Sequence, residues 1–333
     1  MVALSHLAEL SQVKEFQVFD VYLSAPAAVH GFFVISGFLI FRSYERSPEW
    51  RDYLRRRFRR ILPAYIAVVV ICALFLFIIS EYAPGTYFMS FSWWKYLIAN
   101  LLTLNFLQPE LPGVFQQNYI HAVNGSLWTI KVELSFYLLL PVLVYFLQRV
   151  NKKFGVYILL ALLFLSIAYT EILTLLYENN GNKIYLVLQR QLPGQLSFFI
   201  MGILFYKYFD KFVKHKNTIG IVSVLLILFD LIWGIGWLAS FSLPGLILWI
   251  AFSPAPVFSF LDNHDYSYGI YLWHFPLIQL FTDQHWFDEN PWLMFFIFMT
   301  TVAGVSALSW YCLERRFIQK KNKRVSTAVV LSE

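Results

Sequence analysis

The sequence predicts an all-α, polytopic membrane protein. The expected fold is a helix bundle with nine full transmembrane helices and the end of a truncated first helix, as in a ten-helix parent. Of the 333 residues, 59% are hydrophobic and only 14% are charged, whereas a soluble domain carries about 25% charged residues. The hydrophobic residues are gathered into runs that approach the length of a membrane-spanning helix, which is about 20 residues.

The chain begins with a short apolar segment, residues 1–7, which is predicted to be the last turns of a helix whose start is missing. It lacks a cationic n-region, so a signal peptide is not expected. Residues 8–26 are mixed and polar, and residues 93–107 are apolar but short, which indicates an interfacial or re-entrant helix. The nine predicted spans are 27–42, 61–80, 128–148, 154–170, 194–209, 218–236, 238–253, 266–282 and 291–313.

Positive charges orient these spans, because Lys and Arg concentrate in the cytosolic loops of membrane proteins. If the segment after residue 42 is cytosolic, alternate loops hold 21 of the 26 Lys and Arg residues on that side. We therefore predict a multi-pass protein of the inner (plasma) membrane with both termini cytosolic. Residues 319–333 are polar and are predicted to form a disordered cytosolic tail, which leaves 1–318 as one transmembrane domain.

The densest charge lies between the first two full spans, in residues 42–60, which we interpret as a cytosolic loop. This loop sets the topology and is dense enough to bind a polyanion as well. The net charge of +6 does not indicate nucleic-acid binding, because the positive residues sit between apolar spans. The segment contains eight arginines: Arg42, Arg46, Arg51, Arg55, Arg56, Arg57, Arg59 and Arg60.

Charged side chains inside apolar spans are costly to bury and are usually functional. Lys131 and Glu133 are two residues apart, so they point to different faces of a helix, and Glu133 is the better candidate for a group that faces the bundle interior. The alternative is that both are hydrated near the outer boundary. Asp230 is interpreted as a buried acceptor or as a helix–helix hydrogen bond, with a structural role.

Three of the seven histidines lie in or beside apolar segments: His6, His30 and His274. A lone histidine on an apolar face is more often a hydrogen-bonded core residue than a catalyst, and we favour that interpretation for His274. Spacing alone would favour it for His6 as well. The histidines form neither an HxxxH nor an HExxH pattern, and both cysteines lie in apolar runs. Neither a metal site nor a disulfide framework is therefore predicted.

Four segments, in order and with matching spacing, resemble the membrane-bound acyltransferase 3 family, the polytopic O-acyltransferases of bacterial envelopes. They are HGFFVISGFLI (30–40), RRFRRILPAY (56–65), SLWTIKVELSFYLLLP (126–141) and DYSYGIYLWHFPLI (265–278). A terminal LERRFI (313–318) resembles the ending of the family's last helix. Each motif is modest by itself, but together they span nearly the whole chain.

The resemblance implies a ten-helix bundle and a reaction. The family transfers a short acyl group, usually acetyl from acetyl-CoA, to a hydroxyl of a sugar or another envelope molecule. The expected partners are acyl-CoA, a sugar or polysaccharide acceptor and the lipid bilayer, with no nucleic acid and no metal.

His6 matches the place of the family's catalytic histidine, at the end of the first helix and 24 residues before His30. Two features depart from the family's pattern. The family carries an Arg or Lys upstream of that histidine, at a position that would precede Met1 here. His30 and Gly31 stand where many relatives carry an acidic and an aliphatic residue.

The expected chemistry needs a base, because a sugar hydroxyl is a poor nucleophile near neutral pH. A histidine, with an unperturbed pKa of about 6.5, can accept the hydroxyl proton as the oxygen attacks the thioester. We predict His6 as this base. An acidic partner would fix the imidazole tautomer, and Glu133 is the candidate.

The resemblance also implies a site for CoA. Arg57 and Arg60 match the family's RxxR element and, with Arg56, are predicted to bind the CoA phosphates, which arginine side chains hold bidentately. Ser36 and Gly37 would let helices approach closely and leave a slot for the thin pantetheine arm.

A membrane transporter of a polar or anionic solute is the alternative function. Intramembrane Asp230 and Glu133, together with helix-breaking Gly and Pro residues, suit a carrier. The sequence shows no inverted halves and no matched pair of broken helices, which favours the enzyme.

The charge distribution predicts that the loops around 81–127, 171–193 and 283–290 lie outside the cytosol. In intact cells, a membrane-impermeant thiol reagent is expected to label a Lys183→Cys variant and to spare a Lys216→Cys variant. The reverse labelling pattern would overturn this topology.

Overall fold

The computed structural model describes residues 1–253 and 265–318, and all regular secondary structure in those ranges is helical. The all-α class is therefore confirmed for this part of the chain. The predicted tail, 319–333, and all but the last residue of the predicted loop 254–265 lie outside the described residues. The helices are α1 (Val2–Ser11), α2 (Gln17–Tyr22), α3 (Ala25–Arg46), α4 (Trp50–Phe75), α5 (Pro84–Met89), α6 (Phe91–Leu101), α7 (Trp128–Gln148), α8 (Lys152–Asn180), α9 (Ile184–Gln189), α10 (Leu192–Lys207), α11 (Phe209–Lys214), α12 (Lys216–Trp233), α13 (Ala239–Ala251), α14 (Ser267–Asp283), α15 (Pro291–Ser309) and α16 (Arg315–Ile318).

Six segments are long and apolar enough to cross a membrane, and each overlaps a predicted span. Predicted spans 194–209, 238–253 and 266–282 are also helical, but α10, α13 and α14 contain only 16, 13 and 17 residues. At about 1.5 Å per residue, these helices are shorter than a hydrocarbon core of about 30 Å. The chain is thus a multi-pass membrane protein, and the count of nine full spans remains a prediction. The six segments are Ala25–Arg46, Trp50–Ile79, Gly125–Gln148, Lys152–Asn180, Lys216–Trp233 and Pro291–Ile318.

The start of the chain differs from the prediction. Helix α1 continues to Ser11 instead of ending at residue 7, so His6 lies in the middle of the helix and not at its end. Alanine and leucine are strong helix formers, and Ala8 and Leu10 are both buried. Their burial extends α1 into the polar stretch, where the short helix α2 follows.

The arginine segment is mostly helical, which corrects its interpretation as a loop. Helix α3 continues to Arg46 and α4 begins at Trp50, so only residues 47–49 connect them. Helix α3 ends before Pro48 because proline disfavours the helical conformation of the residue that precedes it. Arginine is itself a good helix former, so the basic residues continue directly into the apolar part of α4.

Contacts divide the chain into two compact units. Unit 1 comprises Met1–Ala25, Arg55–Trp128 and Phe258–Glu333, and unit 2 comprises Pro26–Leu54 and Thr129–Val257. Both units combine segments that are distant in sequence, so each core depends on contacts between separate helices.

Unit 1 has an apolar core in which α14 packs against α1 and α15. Leu7 and Leu10 of α1 join Phe275 and Ile278 of α14 and Phe298 of α15 in one buried cluster. Because the cluster includes side chains from three helices, it fixes both the rotation and the height of α1 on α14.

A loop before α7 is fastened to α14 by buried amide side chains. Nδ2 of Asn118 donates to Oε1 of Gln279 at 3.0 Å, and Nε2 of Gln279 donates to the Ala122 carbonyl at 2.7 Å. Nδ2 of Asn124 donates to the Leu272 carbonyl at 2.9 Å. Buried polar networks of this kind rigidify a structure when their members are satisfied.

Unit 2 contains a very close crossing of α3 and α10. A Cβ atom at Gly37 would lie 2.1 Å from the Phe199 carbonyl oxygen, and one at Gly202 would lie 2.1 Å from the Val34 carbonyl oxygen. The close approach expected at Gly37 is therefore present. Small residues serve this purpose in membrane proteins, because they let helix backbones come into contact.

The crossing predicts that Gly37→Ala destabilises the protein. The added methyl group overlaps a backbone carbonyl, and overpacking of this kind costs about 1–3 kcal/mol or more. The apparent melting temperature of detergent-solubilised protein, followed by size-exclusion chromatography, is expected to fall.

Gly304→Ala is the matched control, because among the described residues no heavy atom outside the neighbouring backbone of α15 lies within 4 Å of a Cβ at Gly304. Its melting temperature is expected to stay unchanged or to rise slightly, since alanine is the better helix former. Equal melting temperatures for the two variants would contradict the proposed crossing.

Candidate active site

Helices α1 and α14 bring two histidines into direct contact. Nδ1 of His6 lies 2.9 Å from Nε2 of His274, although the residues are 268 positions apart in sequence. The ring centroids are 5.2 Å apart and the ring planes are inclined by 9°, so the rings meet edge to edge in nearly the same plane. His274 is fully buried at 0% exposure, whereas His6 is partly exposed. His274 is thus a hydrogen-bonded core residue, as the sequence favoured, and its partner is the predicted base.

The immediate surroundings hold the histidine pair in place. The ring of Phe275 meets His6 edge-on, with centroids 5.3 Å apart. Oγ of Ser5, the residue before His6, donates to Oδ1 of Asp20 at 3.0 Å and so ties α1 to α2. Nδ1 of His274 lies 3.1 Å from the carbonyl oxygen of Ile270, one turn earlier in α14. Both imidazoles are therefore restrained by neighbours on their own and adjacent helices.

Glu133, the predicted acidic partner, is buried in α7 of unit 2 with 7% exposure. The Tyr137 hydroxyl donates to its Oε1 at 2.5 Å. Lys131 instead donates to Oε1 of Gln191. The Tyr137 hydroxyl therefore stabilises the carboxylate of Glu133 in its buried position. The role of Glu133 in the reaction remains a prediction.

The three predicted phosphate ligands lie on the basic first turns of α4. Arg57 and Arg60 are three residues apart, a spacing that places both on one side of a helix. Nη2 of Arg60 forms an ion pair with Oδ2 of Asp265 at 2.7 Å, and their side chains are 51% and 42% exposed. Arg56 and Arg57 are partly buried. An exposed ion pair contributes only about 0–1 kcal/mol to stability. Asp265 therefore orients Arg60, but a ligand could displace Asp265 at little cost.

Two acidic residues near Arg60 were missed from the sequence. Asp265 is the first residue of the DYSYGIYLWHFPLI segment and Glu314 lies in the terminal LERRFI, but neither was predicted to have a role. Glu314 is 3% exposed, accepts a hydrogen bond from Ser309 Oγ at 2.8 Å and interacts electrostatically with Arg60. It lies in a π-helical turn, Trp310–Glu314, and such turns are frequent at functional sites. The position of Glu314, a charged residue directly after an apolar span, was the feature of the sequence that could have indicated a role.

The other residues singled out from the sequence lie in unit 2. Ser36 and Gly37 are buried in α3, and the side of Gly37 that faces α10 is filled by backbone atoms. His30 stacks on Phe198, with centroids 3.9 Å apart. Oδ1 of Asp230 is buried and has no hydrogen-bond partner among the described residues. A helix–helix hydrogen bond through that oxygen is therefore not formed within the described part of the chain.

A pocket of about 790 Å³ lies in unit 2 beside the ends of α3, α8 and α10. Arg42, Lys152 and Lys207 line it together with Glu45 and the ring of Tyr206. From the sequence, Lys152 and Lys207 were assigned only a topological role, whereas Arg42 belonged to the basic segment predicted to bind a polyanion as well. Their convergence makes this pocket a second place where a phosphate group could bind. Within residues 1–253 and 265–318, no group of three or more His, Cys, Asp or Glu residues could hold a metal ion.

Comparison with known proteins finds relatives over most of the chain. A family model described as an acyltransferase domain matches residues 1–311. The "O-acetyl transferase" of Shigella phage Sf6 is 27% identical, over 98% of this chain and 95% of its own length. "Nodulation protein 10" of Rhizobium leguminosarum bv. viciae is 26% identical, over 93% of this chain and 86% of its own. "Peptidoglycan O-acetyltransferase OatA" of Listeria monocytogenes is 27% identical, over 75% of this chain and 44% of its own.

No solved structure matches the chain at a significant level. The family match agrees with the four sequence motifs, and two of these three relatives are named as O-acetyltransferases. These findings favour an enzyme over a carrier. The chain is therefore an acyltransferase that belongs to the acyltransferase 3 family.

Proposed function

We propose that this protein transfers a short acyl group, acetyl from acetyl-CoA, to a hydroxyl of an envelope or extracellular polysaccharide. The observation that carries the proposal is the contact between His6 and His274, in a chain that belongs to an acyltransferase family. The name of the Listeria relative, a peptidoglycan O-acetyltransferase, supports a carbohydrate-type acceptor.

In the proposed mechanism, His6 acts as the general base. It takes the proton of the acceptor hydroxyl while the oxygen attacks the carbonyl carbon of the thioester. The new C–O bond forms, the C–S bond breaks, and the proton passes from His6 to the departing CoA sulfur. Glu133 is the proposed acidic partner, whose negative charge would stabilise the imidazolium that forms.

We propose that Arg57, Arg60 and Arg56 hold the phosphates of acetyl-CoA. Guanidinium groups bind phosphate through paired hydrogen bonds, and the orientation of Arg60 by Asp265 supports such a role. Ser36 and Gly37 are proposed to border the path of the pantetheine arm. Because backbone atoms of α10 fill the side of Gly37 that faces that helix, the arm would pass along another side of α3.

The proposed location is the inner membrane, with both termini in the cytosol. This orientation places the basic turns of α4 on the side where acetyl-CoA is made. The acceptor would then approach from the opposite side.

His6→Ala is expected to lower the rate of acetyl transfer by about 10²–10⁴-fold, which is the contribution of a positioned general base. Transfer is measured as incorporation of labelled acetyl from acetyl-CoA into envelope polysaccharide. Membrane insertion and acetyl-CoA binding are expected to persist. His215→Ala is the control, because His215 is exposed. Near wild-type transfer by the His6→Ala protein would remove His6 from the mechanism.

Arg57→Ala and Arg60→Ala are expected to raise the acetyl-CoA concentration needed for half-maximal transfer far more than that of the acceptor. A hydrogen bond to a charged group is worth about 1.5–3 kcal/mol, so apparent affinity for acetyl-CoA should fall by about ten-fold or more. The kinetics are measured in membranes in which each variant is correctly inserted.

Arg42→Ala and Lys207→Ala provide the comparison, since both residues line the cationic pocket of unit 2. Their acetyl-CoA requirement is expected to change little. If the acetyl-CoA concentration needed for half-maximal transfer rises only in these two variants, the phosphates bind in that pocket instead. If the Arg57→Ala/Arg60→Ala double variant keeps its affinity for acetyl-CoA, those arginines serve only to set the topology and to contact lipid.

A further inference from the structure

We propose that His274 is a positioning residue for His6: it accepts the Nδ1–H of His6, and so leaves the lone pair on His6 Nε2 to take the acceptor proton. This inference rests on the proposed function, because it assigns a partner and a reactive atom to the proposed base. It gives His274 the tautomer-fixing task that the sequence suggested for Glu133.

The protonation pattern of the pair begins at Ile270. Its carbonyl oxygen lies 3.1 Å from Nδ1 of His274, and a carbonyl oxygen can only accept a hydrogen bond. Nδ1 of His274 must therefore carry a proton. His274 is fully buried, and burying a charged group without a paired charge is strongly unfavourable. His274 is consequently neutral, with its lone pair on Nε2.

The second step concerns the contact between the rings. Nε2 of His274 and Nδ1 of His6 are 2.9 Å apart, which is the separation of an ordinary hydrogen bond. Since Nε2 of His274 is an acceptor, Nδ1 of His6 is the donor. In the neutral form of an imidazole only one nitrogen carries a proton, so Nε2 of His6 carries the lone pair.

The same contact becomes stronger as the reaction proceeds. When His6 Nε2 takes a proton, His6 becomes an imidazolium and its Nδ1–H becomes a charge-assisted donor to His274. Hydrogen bonds with an ionised donor are stronger than neutral ones. An interaction that strengthens as charge develops stabilises the transition state more than the ground state, which is the condition for raising the catalytic rate.

His274 can act in this way because its own position is fixed. The loop before α7 donates to the Leu272 carbonyl from Asn124 at 2.9 Å, and the Tyr271 hydroxyl donates to the Ser126 carbonyl at 2.8 Å. These bonds fix α14 two and three residues before His274. The hydrogen bond to Ile270 then sets the rotation of the ring, so the acceptor nitrogen faces α1.

Two substitutions at His274 separate positioning from packing. Leucine cannot accept a hydrogen bond, whereas the side-chain oxygen of glutamine can replace Nε2 as an acceptor. We expect His274→Leu to lower kcat by about ten-fold or more, with KM for acetyl-CoA unchanged. This decrease should be smaller than the decrease of about 10²–10⁴-fold expected when the base itself is removed. His274→Gln is expected to recover most of the lost kcat. Full activity in His274→Leu, or equal impairment of the two variants, would overturn the proposal.

A spectroscopic measurement on the unmodified protein tests the tautomer without reference to activity. The full chain is labelled with 15N-histidine and reconstituted in lipid, and the His6 resonances are assigned by their loss in His6→Ala. A protonated Nδ1 and an unprotonated Nε2 on neutral His6 are expected. A protonated Nε2 would overturn this inference even if His6→Ala abolishes transfer. Conversely, the unmodified protein could show the expected His6 tautomer while the His6→Ala variant still transfers acetyl. That result would refute His6 as the base and leave the hydrogen-bond assignment intact.

Discussion

The hydrogen bond between His6 and His274 is the interaction on which the candidate active site depends. It joins α1 to α14 at 2.9 Å, so it requires both helices to keep their rotation and height to within a fraction of a turn. The apolar cluster that contains Leu7, Leu10 and Phe275 supplies this precision, because close-packed side chains tolerate little displacement. The bond also provides a partner for the fully buried imidazole of His274. A buried polar group without a hydrogen bond would lower the stability of the folded protein by about 1–3 kcal/mol.

The position of α14 depends in turn on a loop that contributes no residue to the histidine pair. Asn118 and Gln279 pair through their amides, and Asn124 donates to a backbone carbonyl of α14 beside His274. Phe275 packs so closely that a Cβ at Gly125 would lie 2.7 Å from its ring. A change in this loop would therefore reach the site through the orientation of α14.

The basic end of α4 differs from the histidine pair, because its contacts are exposed to solvent and can be exchanged. The ion pair between Arg60 and Asp265 is about half exposed, so solvent weakens it and a phosphate could exchange for the carboxylate. Glu314, by contrast, is buried and hydrogen-bonded to Ser309. Asp265 thus orients a guanidinium that remains available to a ligand, whereas the histidine pair is held rigidly.

The sequence by itself determined the all-helical class, the multi-pass character and the approximate positions of the helices, because these depend on composition and on apolar runs that are local in the chain. The order of its motifs also identified the family and selected His6. Helix ends were less predictable. Burial of Ala8 and Leu10 extends α1 into a polar stretch, and the helix propensity of arginine continues α4 through the basic segment. Only the tertiary structure revealed that His274 contacts His6 and that Asp265 contacts Arg60. Such partners lie more than 200 positions apart, and the packing of whole helices, which no local pattern encodes, decides which side chains meet.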